Sequence, residues 1–176
     1  IDPVRFIGNY SSGKMGFAIA EECARRGADV TLVAGPVSLA TPHPSINRID
    51  VESANEMYDA TVGAFPSCDV AILSAAVADY RPANQASEKI KRTASDMTIE
   101  LQANRDIAAT LGGMKAENQR LVGFALETNN GEINANEKLA KKNLDFIVLN
   151  TLEDKGAGFA CDTNKVTIIG KDSKTE

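Results

Sequence analysis

The sequence predicts an α/β fold, a doubly wound and mainly parallel sheet with helices on both faces, and three observations carry that expectation. Short β-branched or aliphatic runs alternate with longer stretches whose apolar residues recur at spacings of three and four, the pattern of βαβ units. A chain of 176 residues is long enough for one well-filled core and short for two. Its 43% hydrophobic and 24% charged residues, with 13 Gly and 6 Pro, exclude disordered and fibrous classes.

The elements follow in order. A helix is expected from about 14 to 26, because Met15, Ile19 and Cys23 fall on one face, Ser11 or Ser12 can cap its start and Gly27 can end it. Residues 28–34 read as a buried strand. A strand over 46–51 precedes a helix over 53–65, and the apolar run within 69–74 predicts a strand buried on both faces. Residues 79–95 break the rhythm with Pro82, several polar residues and the cluster Lys89-Ile90-Lys91-Arg92, so a mobile flap is expected over about 80–95. A strand at 97–101, a helix at 106–116, a strand at 121–126, a helix at 133–143 and a strand at 146–149 restore the alternation. Residues 165–169 read as a last strand.

Nineteen Lys and Arg against 24 Asp and Glu leave a net charge of −5, which argues against nucleic acid as a partner. An anionic ligand must then be held by locally placed cations or backbone N–H groups. No apolar run approaches the roughly 20 residues of a membrane-spanning helix, so no membrane partner is expected. Cys23, Cys68 and Cys161 are odd in number and widely spaced, which suggests neither disulfides nor zinc and fits a reducing cytoplasm. The chain opens on Ile1-Asp2-Pro3 and reads as a piece of something longer, trimmed at both ends.

Ligands of open α/β sheets bind beyond the carboxyl ends of the strands, so the loops there carry the candidate chemistry. In Asn9-Tyr10-Ser11-Ser12-Gly13-Lys14-Met15-Gly16, small residues and hydroxyls stand where a helix begins, and its unpaired N–H groups can take a phosphate or carboxylate. A plain Ser cap is the competing reading, and the spacing of a Walker loop is absent. Tyr10 and Lys14 also satisfy the Tyr-x-x-x-Lys spacing of short-chain dehydrogenases, which keeps an oxidoreductase as the alternative. That dyad follows a G-x-G-x-x-G fingerprint in such enzymes, and none occurs here.

Ser74-Ala75-Ala76-Val77-Ala78-Asp79-Tyr80 leaves a strand through small residues, which admit a flat ligand, and reaches a carboxylate able to accept from ribose hydroxyls. A capping or loop Asp is an equal reading of Asp79. Asp69 and Asp145 precede their strands and lie at the wrong end to be phosphoacceptors. Lys138 and Lys142 put two like charges on one helix face, which is unfavourable without an anion nearby, although a helix C-terminus also welcomes them. His43 stands alone among prolines, and no cluster of His and Cys offers a metal site. A metal would therefore be Mg²⁺ carried by a polyphosphate.

The segment from Asp2-Pro3-Val4-Arg5-Phe6-Ile7-Gly8-Asn9 through Gly16 closely resembles phosphopantothenoylcysteine synthetase. The similarity continues through Ala75-Ala76-Val77-Ala78-Asp79-Tyr80, Glu88-Lys89-Ile90-Lys91, Val122-Gly123-Phe124-Ala125-Leu126-Glu127-Thr128, Lys141-Lys142-Asn143-Leu144-Asp145 and Asp162-Thr163-Asn164-Lys165-Val166, in order over nearly the whole chain. The resemblance implies a Rossmann-like fold and a single nucleotide-binding ligase domain over 1–176. It implies joining of 4′-phosphopantothenate to L-cysteine with CTP and Mg²⁺ through an acyl-cytidylate. Asn9 and Lys89 are the implied catalytic residues, with Asn9 bonding the acyl group and Lys89 also meeting the phosphates. Leu73, Ser74, Ala75, Asp79, Arg105, Asp106, Ile107, Ala108, Phe124, Lys138 and Lys142 are implied around the nucleotide. Arg5, Ser11 and Ser12 are implied at a substrate phosphate or carboxylate.

The resemblance also implies a homodimer in which the strand at 165–169 takes part, and a decarboxylase domain fused upstream. Three departures stand out. Asn104-Arg105-Asp106-Ile107 occupies the place of Asn-Pro-Asp-Ile, so a cation replaces a proline. The Gly-Gly-Thr turn that precedes Asp-Pro-Val-Arg in the family lies before this chain starts, and the family's last helix lies beyond Glu176.

Overall fold

The computed structural model describes residues 1–92, 96–151, 165–171 and 173–175. The first helix, α1 (Lys14–Arg25), ends in the motif its sequence announces. Gly27 takes φ +94°, its N–H donates to Ala24 O at 2.9 Å and the Ala28 N–H donates to Cys23 O at 3.1 Å. Its start differs from expectation. Gly13, at φ +77°, is the N-cap, while Ser11 and Ser12 Oγ accept from the N–H groups of Gly13 and Lys14 at 3.4 Å. The buried stripe is Phe17, Ala20 and Ala24, and the face of Met15, Ile19 and Cys23 is only half-buried. Small alanines let the helix settle onto Val30, Leu32 and Ile46.

Those apolar residues belong to β1 (Val30–Ala34) and β2 (Ile46–Asp50), which pair in parallel. Helix α2 (Ala54–Ala64) follows, started by Ser53, whose Oγ accepts from the Glu56 N–H at 3.2 Å. The strand β3 (Val70–Leu73) then pairs in parallel with β6 (Arg120–Glu127), and β6 with β7 (Phe146–Thr151). The strands β8 (Val166–Gly170) and β9 (Ser173–Thr175) add antiparallel neighbours in the order β3-β6-β7-β8-β9. Between β3 and β6, β4 (Tyr80–Pro82) and β5 (Leu101–Ala103) form a separate antiparallel pair, so the strand expected at 97–101 is displaced to 101–103. The parallel strands thus fall into two ladders among the described residues, and β1 and β3 each have one hydrogen-bonded neighbour. The expectation of a strand over 69–74 buried on both faces is corrected accordingly: β3 is an edge strand, and Val70 and Ile72 are exposed.

Helices α3 (Ile107–Met114) and α4 (Gly131–Lys141) cover one face of the five-stranded sheet. Leu111, Ala135 and Leu139 meet Leu121, Ala125, Ile147, Leu149 and Ile169 there, and burying these side chains drives the docking. The alternate residues of the same strands, Ile72, Leu126, Phe146 and Ile168, stand exposed on the other face. Where α3 crosses the end of α4, Gly112 allows backbone to touch backbone. A Cβ at 112 would lie 2.0 Å from Lys142 O, and Asn143 Nδ2 donates to Gly112 O at 2.9 Å.

That contact gives a direct test of the packing. Gly112→Ala should destabilise the domain by about 2–3 kcal/mol, because the obstructing atom is backbone and cannot swing away. Urea unfolding would show the loss as a lower midpoint at unchanged slope, and an unshifted midpoint would contradict the α3–α4 contact.

Candidate functional site

Strand β3 ends at Leu73, opposite Gly123 of β6, and the chain leaves the sheet through Ser74-Ala75-Ala76-Val77-Ala78-Asp79. The first turn of α1 lies against this loop, since a Cβ on Gly16 would come 2.7 Å from Ser74 Oγ. Asn9 reaches the loop from the arm before α1, and its Nδ2 donates to Ala76 O and Val77 O, both at 3.3 Å. These two bonds use the donors of the carboxamide and not its Oδ1 acceptor.

Asn104 holds the far side. Its Nδ2 donates to Ala78 O at 2.7 Å, its backbone N–H donates to Asp79 O at 2.8 Å, and its Oδ1 accepts from Arg81 at 2.9 Å. Two asparagines therefore satisfy the carbonyls of a loop that has no strand partner. Ala75 and the Asp79 side chain are left exposed. The sequence reading missed the role of Asn104; its position just before the cap of α3 was the available signal. Asp106 is that cap, accepting from the Ala109 N–H at 3.0 Å, and Ile107 and Ala108 form the first turn behind it.

The arm also reaches the flap. Asp2, whose side chain is fully buried, accepts from the N–H groups of Val4, Arg5 and Ile90 at 2.9, 3.0 and 3.1 Å, and from the Arg5 guanidinium. The same guanidinium donates to Ile90 O at 3.0 Å. Arg5 holds the Asp2 carboxyl far below the usual carboxylate range; burial opposes this, and the N–H groups of Val4, Ile90 and Arg5 reinforce it. Arg5, expected at a substrate phosphate or carboxylate, is thus engaged within the protein. Asp2 was not read as a site residue, because nothing in an arm of mixed apolar and polar residues marks one carboxylate for burial. Lys89 and Lys91, on either side of Ile90, are exposed, as are Ser11 and Ser12.

The helix cations have carboxylate partners of their own. Lys138 Nζ lies 2.5 Å from Glu127 Oε1 at the end of β6, and Glu127 Oε2 accepts from Asn134 Nδ2 at 2.8 Å. Lys142 Nζ lies 3.2 Å from Asp106 Oδ2 at the start of α3. The anion that two like charges require is therefore supplied by Glu127 and Asp106, and the pairing needs no bound ligand. Arg105 turns toward α2: its guanidinium lies 3.8 Å from the centroid of the Tyr58 ring and 2.8 Å from Asp59, and it donates to Asn55 O at 3.3 Å. Phe124 is half-buried on the open face of β6, beside Val148.

The structure thus gathers Asn9, Ser74, Ala75, Asp79 and the 104–108 turn at one edge, with Lys142 tied to that turn. Arg105 points its charge to α2. A loop and two helix starts lie beyond the carboxyl end of a parallel strand, the place where Rossmann-like α/β folds bind their ligands. The chain belongs to the family described as DNA/pantothenate metabolism flavoprotein C-terminal domain, which matches residues 1–176.

Among its relatives is a "Cysteine/Cysteine sulfinic acid decarboxylase" of an unknown prokaryotic organism, 57% identical over 176 residues, covering 100% of this chain and 49% of that one. The "Coenzyme A biosynthesis bifunctional protein CoaBC" of Escherichia coli (strain K12) is 48% identical over 175 residues, 98% of this chain and 43% of that one. The crystal structure of the C-terminal domain of a CoaBC protein superposes with a TM-score of 0.81 at 44% identity, over 99% of this chain and 78% of that one. The chain spans about half the length of the curated relatives it matches. No helix among the described residues is long and apolar enough to cross a membrane.

The ion pairs make a pH prediction. Burial raises the Glu127 pKa, but the bonds from Lys138 and Asn134 and the charge of Lys138 outweigh it, leaving the carboxyl below its ordinary 4.5. A depressed pKa contributes stability that is complete above the unfolded value and lost as pH falls through the folded one. Glu127→Gln should therefore lower stability by on the order of 1 kcal/mol at pH 7. The difference from the parent should shrink below about pH 4.5, and parallel unfolding curves at all pH values would refute the pairing.

Proposed function

We propose that this domain joins 4′-phosphopantothenate to L-cysteine, using Mg²⁺–CTP as co-substrate. The observation that carries the reading is the arm of residues 2–9. Its Asn9 meets the carbonyls of Ala76 and Val77, while its Asp2 and Arg5 hold Ile90 between Lys89 and Lys91. One segment thereby links a carboxamide beside the nucleotide loop to exposed cations suited to phosphate.

In the first step a carboxylate oxygen of phosphopantothenate attacks the α-phosphorus of CTP, and the bond to the β-phosphate breaks with release of pyrophosphate. Lys89 offsets the charge that gathers on the phosphates, because an ammonium placed where charge develops lowers the barrier. Mg²⁺ carried on the triphosphate would offset phosphate charge and would need few ligands from the protein. In the second step the cysteine amine attacks the acyl carbon, the bond to the cytidylate oxygen breaks, and the amine gives up a proton as CMP leaves. Asn9 hydrogen-bonds the acyl group during this exchange. Ser74, Ala75, Asp79 and the turn of Asp106, Ile107 and Ala108 surround the nucleotide, with Leu73 and Phe124 behind them. Lys138 and Lys142 contribute by exchanging carboxylate for phosphate. Arg5 lies within the arm and Ser11 and Ser12 follow it, where the substrate's own charges would lie.

The longer relatives supply the rest of this reading. One is named bifunctional and another a decarboxylase, which supports a decarboxylase domain upstream; the cytoplasm and a homodimer complete the proposal on the resemblance alone. Phe6 and Tyr10, largely exposed on the arm, are apolar surface that a second copy would cover. The family match leaves the oxidoreductase built on Tyr10 and Lys14 without support.

A full-length protein supplied with CTP, Mg²⁺, phosphopantothenate and cysteine should release pyrophosphate, and no release would overturn the proposal. Lys89→Ala should reduce that release by about a hundredfold or more. Asn9→Asp should slow amide formation more than it slows the first burst of pyrophosphate, seen as accumulation of the acyl-cytidylate.

A further inference from the structure

We propose that Asp2 is a positioning residue that acts through Ile90 to fix the backbone carrying Lys89; the inference rests on the role given to Lys89 above. Asp2 and Arg5 form a two-point clamp on one residue of the flap. The Asp2 carboxylate accepts the Ile90 N–H at 3.1 Å, and the Arg5 guanidinium donates to Ile90 O at 3.0 Å. Both backbone groups of Ile90 are thereby used, so the peptide units on its two sides, shared with Lys89 and Lys91, cannot rotate freely.

The rest of the arm is arranged around this carboxylate. Residues 3–10 are exposed while the Asp2 side chain is fully buried. The Ile1 carbonyl accepts the Ala86 N–H at 3.0 Å, which adds a second tie four residues earlier in the flap. A buried charge is retained only where it is fully bonded, and here every donor comes from the arm itself or from Ile90. The clamp confines a lysine that would otherwise sample many positions in a long loop, and confinement of a charged group before the reaction is the form that preorganisation takes.

The test uses the full-length protein and its Asp2→Asn and Arg5→Lys variants, with two measurements. Limited trypsin digestion reads the clamp without reference to any reaction: cleavage after Lys89, Lys91 and Arg92 should accelerate about tenfold or more in Asp2→Asn, and less in Arg5→Lys. Cleavage after Arg25 and Arg26, at the end of α1, serves as the control for general loosening and should stay unchanged. Pyrophosphate release should lose about tenfold in kcat with little change in the KM for CTP, because Lys89 acts on charge that develops in the reaction.

Equal acceleration at Arg25 and Arg26 would make Asp2 a stability residue and overturn the proposal. Unchanged cleavage in the flap, or an unchanged kcat, would do the same. If the parent protein releases no pyrophosphate, the ligase reading fails, and the digestion still decides whether the clamp exists.

Discussion

When β3, β6 and β7 run parallel, with Leu73 beside Gly123 and Gly123 beside Ile147, their chains leave the sheet at one edge. Each exit must then be terminated by something other than another strand, and everything in the site follows from how this is done. The exit of β3 is a stretch of small residues whose carbonyls have no ladder partner. Asn9 supplies donors from one side and Asn104 from the other. An Asp could not replace either, because an ionised carboxylate accepts and does not donate. The residues that shape the loop are therefore fixed by hydrogen-bond supply before any ligand is considered.

The exit of β6 is terminated differently. Glu127 ends the strand and meets Lys138 and Asn134 of α4, the helix that follows it. Lys142, one turn on, reaches across to the cap of α3. These two ion pairs lock the helices to the edge where the site lies, and they leave two ammonium groups whose carboxylates an incoming phosphate would have to displace. Glu127 is largely buried and Asp106 half-exposed, so the pair at Glu127 would give way less readily than the pair at Asp106.

Much of this order was legible in the sequence. Ser53 and Asp106 mark the starts of α2 and α3 because each is a capping residue just before an apolar period, and Gly27 marks the end of α1 because only glycine takes its φ readily. The face of α1 was not legible, since Met15, Ile19, Cys23 and Phe17, Ala20, Ala24 both have helical spacing. Closeness to β1 and β2 decides for the alanines. The burial of β3 was misread because an apolar run looks the same in a central strand and an edge strand. The linear motifs of the site could be quoted as they stand, but their partners could not. Ile90 meets Asp2 from 88 residues further along the chain, and no local pattern encodes a contact between residues so far apart.

Arg105 shows how such a contact can replace a local rule. Proline at this place, as the resemblance has it, would stiffen the turn before α3 by fixing φ. Arginine does not fix φ, yet its side chain ties the same turn to α2 through the Tyr58 ring, Asp59 and Asn55 O. Tyr58 in turn meets Thr110 of α3 through their hydroxyls at 3.2 Å, so the turn is held from both sides by one helix. A stacked guanidinium at a half-exposed site contributes about 0.5–1 kcal/mol, enough to offset the freedom gained when the ring is lost. The departure therefore moves the restraint from the backbone to a side chain, and it directs the new charge away from the loop that follows β3 while leaving Asn104 and Asp106 in place.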